Sequence, residues 1–341
     1  MPEARIDPMS GLRTLVASER ADRPHAFPAF AEPDALGPDD PFAEGNEGLT
    51  PPEVWADRPD GSAADSPGWR VRVVPNKFSA LSQEFAAGSA GLDDPMGLQR
   101  GMPQLLTAGP ADGIHEVVIN SPRAVRSLAE LSTEELGAAV AAWGARIAAH
   151  AESAQYVHVC VNERREAGAT LPHTHAQVFA LGFVPPPVAR ERERMRAYFE
   201  HTQGRNLIED MLVEEIRSRK RLVAIDDDAA LIAPFASPTP YRLTIVPRRP
   251  QARFEESPGD ACAMLRAALT GLQRLLEPGA AYAPPLNLWI RTAPPGAEGY
   301  SWRIEIAPRL GQPAGFELGT GIGLNAVAPE AAAARLREAL A

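Results

Sequence analysis

The tightest constraint on this chain is an eleven-residue run, Leu171-Pro172-His173-Thr174-His175-Ala176-Gln177-Val178-Phe179-Ala180-Leu181. Polar side chains recur at every second position of an otherwise apolar stretch, the period of a β-strand whose two faces differ. In a strand, His173, His175 and Gln177 project together, so two imidazoles and a carboxamide share one face. Such a set can serve as metal ligand, nucleophile and hydrogen-bond donor. A lone inward histidine is more often a satisfied core residue. The alternation His-x-His-x-Gln, preceded by Glu166-Ala167-Gly168-Ala169-Thr170, is better explained by chemistry.

Composition narrows the setting. The 341 residues suggest about two domains, and 45% hydrophobic content supplies a sizeable core. The first residues carry no apolar signal core and no run approaches eighteen apolar residues, so a soluble cytoplasmic protein with no membrane partner is expected. Cys160 and Cys262 make neither a disulfide framework nor a cysteine-based zinc site, which argues against redox chemistry. A net charge of −10 excludes a general nucleic-acid surface, because phosphate contacts there need clustered cations. A small anion held in a local basic pocket remains compatible with that charge.

The rest of the chain predicts an α+β fold of two related halves. Segments 69–75 and 115–120 read as strands, and Ser132-Thr133-Glu134-Glu135 opens a helix with a capping box. That helix carries Leu136, Val140, Trp143 and Ile147 at helical spacing and ends near His150. Segments 156–161 and 176–181 follow as strands around a loop over 162–172. The same order recurs, with strands at 241–247, 286–291 and 301–306 and a helix from 257 toward Leu276. Aligning the last strands sets Ser301, Arg303 and Glu305 against His173, His175 and Gln177, so the second half reads as a copy without the nucleophile. The boundary falls between 1–185 and 186–341. Helices with one apolar side are expected over 190–220, and the proline- and glycine-rich first seventy residues are expected to wrap irregularly over the core.

Taken together, these motifs resemble the galactose-1-phosphate uridylyltransferase family of the histidine-triad superfamily, including its ADP-glucose phosphorylase relatives. The match runs through Arg20-Ala21-Asp22-Arg23-Pro24, Gly45-Asn46-Glu47, Val74-Pro75-Asn76-Lys77-Phe78, His115-Glu116-Val117 and the histidine strand to Ala314-Gly315-Phe316-Glu317. The resemblance implies two histidine-triad-like halves and a ping-pong transfer in which His175 attacks the α-phosphorus of a nucleoside diphosphate sugar. A sugar 1-phosphate would then accept the nucleotide from the covalent nucleotidyl-histidine. Gln177 would donate to a phosphoryl oxygen without offering a proton for hydrolysis, and His173 would complete the catalytic set. By the same resemblance, Arg20 and Arg23 would meet phosphate or acceptor, Asn76 and Phe78 the nucleotide, Asn162 and Thr170 the phosphates, and Glu317 the sugar. A homodimer without cofactor is implied.

Many family members carry Cys-Pro-Phe-Cys before Gly-Asn-Glu, where two thiolates bind zinc. Here the chain reads Asp40-Pro41-Phe42-Ala43, so no soft thiolate site forms, and His115 and His173 with Asp40 or Glu44 could assemble only a weaker one. A second metal in some relatives uses a glutamate, matched by Glu191, and histidines replaced here by Ser301, Arg303, Glu305 and Ala307. No metal is assigned. Two alternatives stand beside the transferase reading: a phosphorylase in which inorganic phosphate accepts the nucleotide, and a catalytically silent nucleotide-binding protein.

Overall fold

The computed structural model describes residues 1–22, 30–85, 106 and 108–341. In chain order the elements are β1 (Glu3–Ile6), β2 (Arg13–Val16), β3 (Trp55–Asp57), β4 (Val71–Pro75), β5 (Gly113–Ile119), α1 (Thr133–His150), β6 (Tyr156–Glu163) and β7 (His175–Leu181). Then come α2 (Pro186–His201), α3 (Leu207–Ser218), β8 (Leu222–Ile225), β9 (Ala229–Ile232), β10 (Leu243–Pro247), α4 (Cys262–Leu276) and β11 (Leu286–Arg291). The chain closes with β12 (Arg303–Pro308), α5 (Gly315–Thr320), β13 (Gly323–Asn325) and α6 (Pro329–Leu340).

Ten of these strands form one antiparallel sheet in the order β3-β4-β5-β7-β6-β11-β12-β10-β9-β8. The order is a sequence of five strands and its mirror, so the fold is α+β with two histidine-triad-like halves joined along β6 and β11. The ladder reproduces the expected match between the halves. Cys160 pairs with Gln177 in the first half, Trp289 with Glu305 in the second, and Trp289 with Cys160 at the join. Gln177 and Glu305 therefore occupy equivalent places, as do His175 and Arg303, and Asn162 and Arg291.

Period-two alternation divides the sheet into a packed face and a working face. Val73, Val118, Val178, Val159, Leu288 and Ile304 point into the main core, where α1 and α4 lie across the sheet. The capping box of α1 forms as expected: Ser132 accepts from the Glu135 N–H, and Glu135 accepts from the Ser132 N–H. Its Leu136, Val140, Trp143 and Ile147 are all buried. The other face carries His175, Gln177, Cys160, Trp289, Arg303 and Glu305.

Two expectations are corrected. The first seventy residues are not wholly irregular: β1 pairs with β2, and β13 joins them as a three-stranded sheet. Strands β8 and β9 were not foreseen. They complete the second half's edge, with Ala230 and Leu231 fully buried. Among the described residues, no helix is long and apolar enough to cross a membrane.

Candidate active site

His175 opens β7, where the chain enters the sheet from the loop 164–174. Its Nδ1–H donates to the His173 carbonyl at 2.8 Å, which leaves the lone pair on Nε2. Burial lowers the His175 pKa below its ordinary value, so the ring is held neutral. Phe42 packs edge-on against it with ring centroids 5.3 Å apart. A neutral imidazole with a fixed tautomer and a lone pair on Nε2 is a nitrogen nucleophile ready for phosphorus.

His173 does not share that open face. It precedes β7, is fully buried, and has both ring nitrogens engaged, Nδ1 to Asp40 Oδ2 at 2.7 Å and Nε2 to the Ser121 carbonyl at 2.9 Å. Burial would raise the Asp40 carboxyl, but the His173 ring and the Phe42 N–H outweigh it and hold its pKa below the usual range. His173 is thus a positioning residue: Asp40 and Ser121 anchor the ring, and its carbonyl sets the tautomer of His175.

Gln177 lies one step further along the working face. Its Oε1 sits 3.0 Å from His115 Nε2, and the Ala80 N–H approaches His115 Nδ1 at 3.4 Å; with the hydrogen on Nε2 the ring donates to Gln177, and the nearby Asn76 Nδ2 is then a close neighbour and not a hydrogen-bond partner. Burial lowers the His115 pKa and keeps the ring neutral, and Phe179 stacks on it at 4.0 Å. With its oxygen held, Gln177 has only its NH₂ to offer a ligand. Asn76 brings Nδ2 within 3.0 Å of the same His115 nitrogen, and its Oδ1 accepts from the Phe78 N–H, while the Phe78 ring stands 86% exposed. Asn162 is one rung beyond the Val161–Ala176 pair and so beside His175. Its Oδ1 accepts from Asn287 Nδ2 at 2.7 Å, which again turns an amide NH₂ outward.

The remaining sequence candidates scatter. Thr170 is exposed in the loop before His173. Its neighbours Ala169 and Leu171 line a cavity of about 300 Å³ that also receives Arg126, Arg164 and Arg165, which the sequence reading did not single out, together with Glu32, Asp34 and Glu166; Arg164 pairs with Glu277 and Arg165 with Asp34. Arg20 lies in the short 3-10 turn Ser18–Asp22, and Arg23 lies outside the described residues. Glu317 accepts from the Ala314 N–H and caps its own helix α5, with no contact to the His175 cluster.

His115, His173, Asp40 and Glu44, which could have formed a weaker metal site, are not gathered around one point. His115 serves Gln177, His173 serves Asp40, and Glu44 accepts from the Gly68 N–H at 2.7 Å. Among the described residues, no group of three or more His, Cys, Asp or Glu is gathered as a metal site. In the second half, a guanidinium joins two buried carboxylates. Arg303 bonds Glu191 at 2.6 Å and Glu305 at 2.7 Å, and Arg242 reaches Glu305 at 3.1 Å. Burial would raise the Glu305 carboxyl, yet Arg242, Arg303 and Thr244 pull its pKa down to about 2.

The sequence profile described as "Galactose-1-phosphate uridyl transferase, N-terminal domain" matches residues 1–185. The chain belongs to the galactose-1-phosphate uridylyltransferase family. Residues 136–341 match a second profile, a domain of unknown function called DUF4921. ADP-glucose phosphorylase of Arabidopsis thaliana is 29% identical over 350 residues, covering 99% of this chain and 93% of that protein. A probable galactose-1-phosphate uridylyltransferase of Drosophila melanogaster is 25% identical over 353 residues, covering 99% and 95%. The crystal structure of the Arabidopsis ADP-glucose phosphorylase with bound ADP-glucose superimposes with a TM-score of 0.78 at 28% identity, covering 99% of this chain and 98% of that one. The protein is accordingly an enzyme of this nucleotidyl-transferring family.

Proposed function

We propose that the protein moves a nucleoside monophosphate from a nucleoside diphosphate sugar to a phosphate-bearing acceptor through a covalent intermediate on His175. The observation that carries this reading is the ring of His175 itself: buried, neutral, with Nδ1–H committed to the His173 carbonyl and the lone pair on Nε2. That lone pair attacks the α-phosphorus, the bond from this phosphorus to the bridging oxygen breaks, and sugar 1-phosphate departs as a stable anion. The Nδ1–H bond to His173 stabilises the positive charge that the ring acquires. An oxygen of the acceptor phosphate then attacks the same phosphorus, the phosphorus–nitrogen bond breaks, and neutral His175 returns. Neither step requires a proton from the protein.

The amide hydrogens of Gln177 and Asn162 are the groups of this reading that meet the non-bridging oxygens, since both side-chain oxygens are already engaged. Neither amide is a base, so water at the second step gains no help. Asn76 and Phe78 would meet the nucleotide, and Arg126, Arg164 and Arg165 the leaving phosphate. Among acceptors, a sugar 1-phosphate is the first reading. Inorganic phosphate is the second, favoured by the full-length likeness to an ADP-glucose phosphorylase. A silent binding role is disfavoured by the intact arrangement around His175.

A homodimer belongs to the same proposal, supported by helix α5, which buries none of its residues and leaves Phe316 44% and Leu318 76% exposed. So does a cytoplasmic location, with the two thiols Cys160 and Cys262 unpaired. The test is incubation with ADP-glucose and UDP-glucose, each with inorganic phosphate or galactose 1-phosphate. Release of nucleoside diphosphate with phosphate identifies a phosphorylase, and exchange of the sugar with galactose 1-phosphate identifies a transferase. No turnover with any pair contradicts the reading.

A further inference from the structure

On the working face of the second half lies a cavity of about 350 Å³, partly covered by the β1–β2 hairpin, whose Ser10 and Thr14 line it. Five arginines and three carboxylates line this cavity, in a chain whose net charge is −10. Two of those carboxylates, Glu191 and Glu305, are already bridged by Arg303 and Arg242. What is left over is positive and rich in donors. Arg303 NH1 and Trp289 Nε1 are buried without a hydrogen-bond partner, Arg291 Nε makes no hydrogen bond and only a 3.7 Å ion pair with Glu191, and Arg303 is 2% exposed. A guanidinium or indole nitrogen can only donate, so each of these buried groups calls for an acceptor that the cavity wall does not give it. A buried donor without one is costly, and a charged donor more so.

The strand ladder adds an independent reason. Arg303 stands where the first half has His175, and Arg291 where it has Asn162. The place that presents a nucleophile in one half presents fixed guanidinium charge in the other. Arginine forks match phosphate geometry, and the volume suits a small ligand. We propose that this cavity is a second, non-catalytic phosphate site, taking inorganic phosphate or the phosphate group of a small phosphate monoester. The choice of ligand rests on the transfer reading, because the substrates and products of the first half carry that group.

The test titrates inorganic phosphate and, separately, glucose 1-phosphate into the full-length protein by calorimetry. Wild type, Arg291→Gln and Arg190→Gln are compared, and the mass adduct formed on His175 with ADP-glucose is read in the same preparations. Two binding events per chain are expected in wild type. One of them should weaken at least tenfold in both variants while the adduct still forms. Arg190 is exposed, so its variant carries the test if Arg291→Gln fails to fold. A ratio of the two affinities well above one identifies a monoester, and a ratio near one identifies free phosphate. A single binding event per chain, or two events unmoved by either variant, overturns the proposal. Loss of the adduct in wild type overturns the transfer reading instead.

Discussion

Asp40 holds the ring of His173, and its replacement measures what anchors the nucleophile. Its side chain is 4% exposed and makes two bonds, Oδ2 to His173 Nδ1 at 2.7 Å and Oδ1 to the Phe42 N–H at 3.0 Å. Both bonds end on an ionised carboxylate, and a hydrogen bond to a charged group contributes about 1.5–3 kcal/mol, so the pair supplies at least about 3 kcal/mol. Asp40→Ala should therefore cost about 3 kcal/mol in a urea melt, and Asp40→Asn, which keeps an acceptor and the shape, about half of that. The His173 carbonyl orients His175, so kcat should fall on the order of 10²-fold in the alanine variant with KM little changed. The pH dependence has a definite sign. The folded pKa of Asp40 lies below 3.8, so its contribution is present above that pH and lost as pH falls toward the folded value. Acid melts of Asp40→Ala should lack that loss. A variant within about 1 kcal/mol of wild type and with unchanged kcat would refute the chain of contacts from Asp40 through His173 to His175.

Other outcomes follow from neighbouring residues. Burial raises the Glu163 carboxyl to about 7 against an ordinary 4.5, so ionisation is resisted only in the folded state. Stability is then full below pH 4.5 and falls by about 3 kcal/mol as pH rises through 7, at about 1.4 kcal/mol per unit; melts of Glu163→Gln should not show this decline. Replacing Gln177 with histidine supplies an acid–base group beside the adduct, and the ratio of free to transferred nucleoside monophosphate should rise several-fold; an unchanged ratio would mean that the amide does not suppress hydrolysis. Arg303→Met strands the buried carboxylates of Glu191 and Glu305, and thermal melts should show a loss of about 3–5 kcal/mol, largely recovered in the triple variant Glu191→Gln, Arg303→Met, Glu305→Gln.

What was legible in the sequence was local. The capping box of α1 and the alternation of β7 each follow from residues within one helix turn or one strand, and the recurrence of similar segments pointed to two halves, while their mirrored order in one sheet is seen only in the fold. Strands β1, β2, β8 and β9 span four residues each and carry too few alternations to stand out from their loops. The site's supports were illegible for a different reason. Asp40 meets His173 across 133 positions, and His115 meets Gln177 across 62. The family resemblance singled out both histidines and left open a weak shared metal site, and the fold gives each a separate partner. Arg126, Arg164 and Arg165 looked like ordinary surface charge until the loop folded them around one cavity. The Arg303–Glu191 bridge could be suspected from the missing histidines, but only the closeness of β12 and α2 reveals it.

The measurement that bears most directly on the account is intact-mass spectrometry after incubation with ADP-glucose or UDP-glucose without acceptor. The expected result is a gain equal to one nucleoside monophosphate per chain, located on His175, labile to acid as a phosphoramidate, and discharged on adding inorganic phosphate or a sugar 1-phosphate. The adduct should be absent in His175→Asn, whose amide nitrogen lone pair is delocalised into the carbonyl and is not nucleophilic. Turnover with no adduct, or an adduct that persists in the His175→Asn variant, would contradict the central claim.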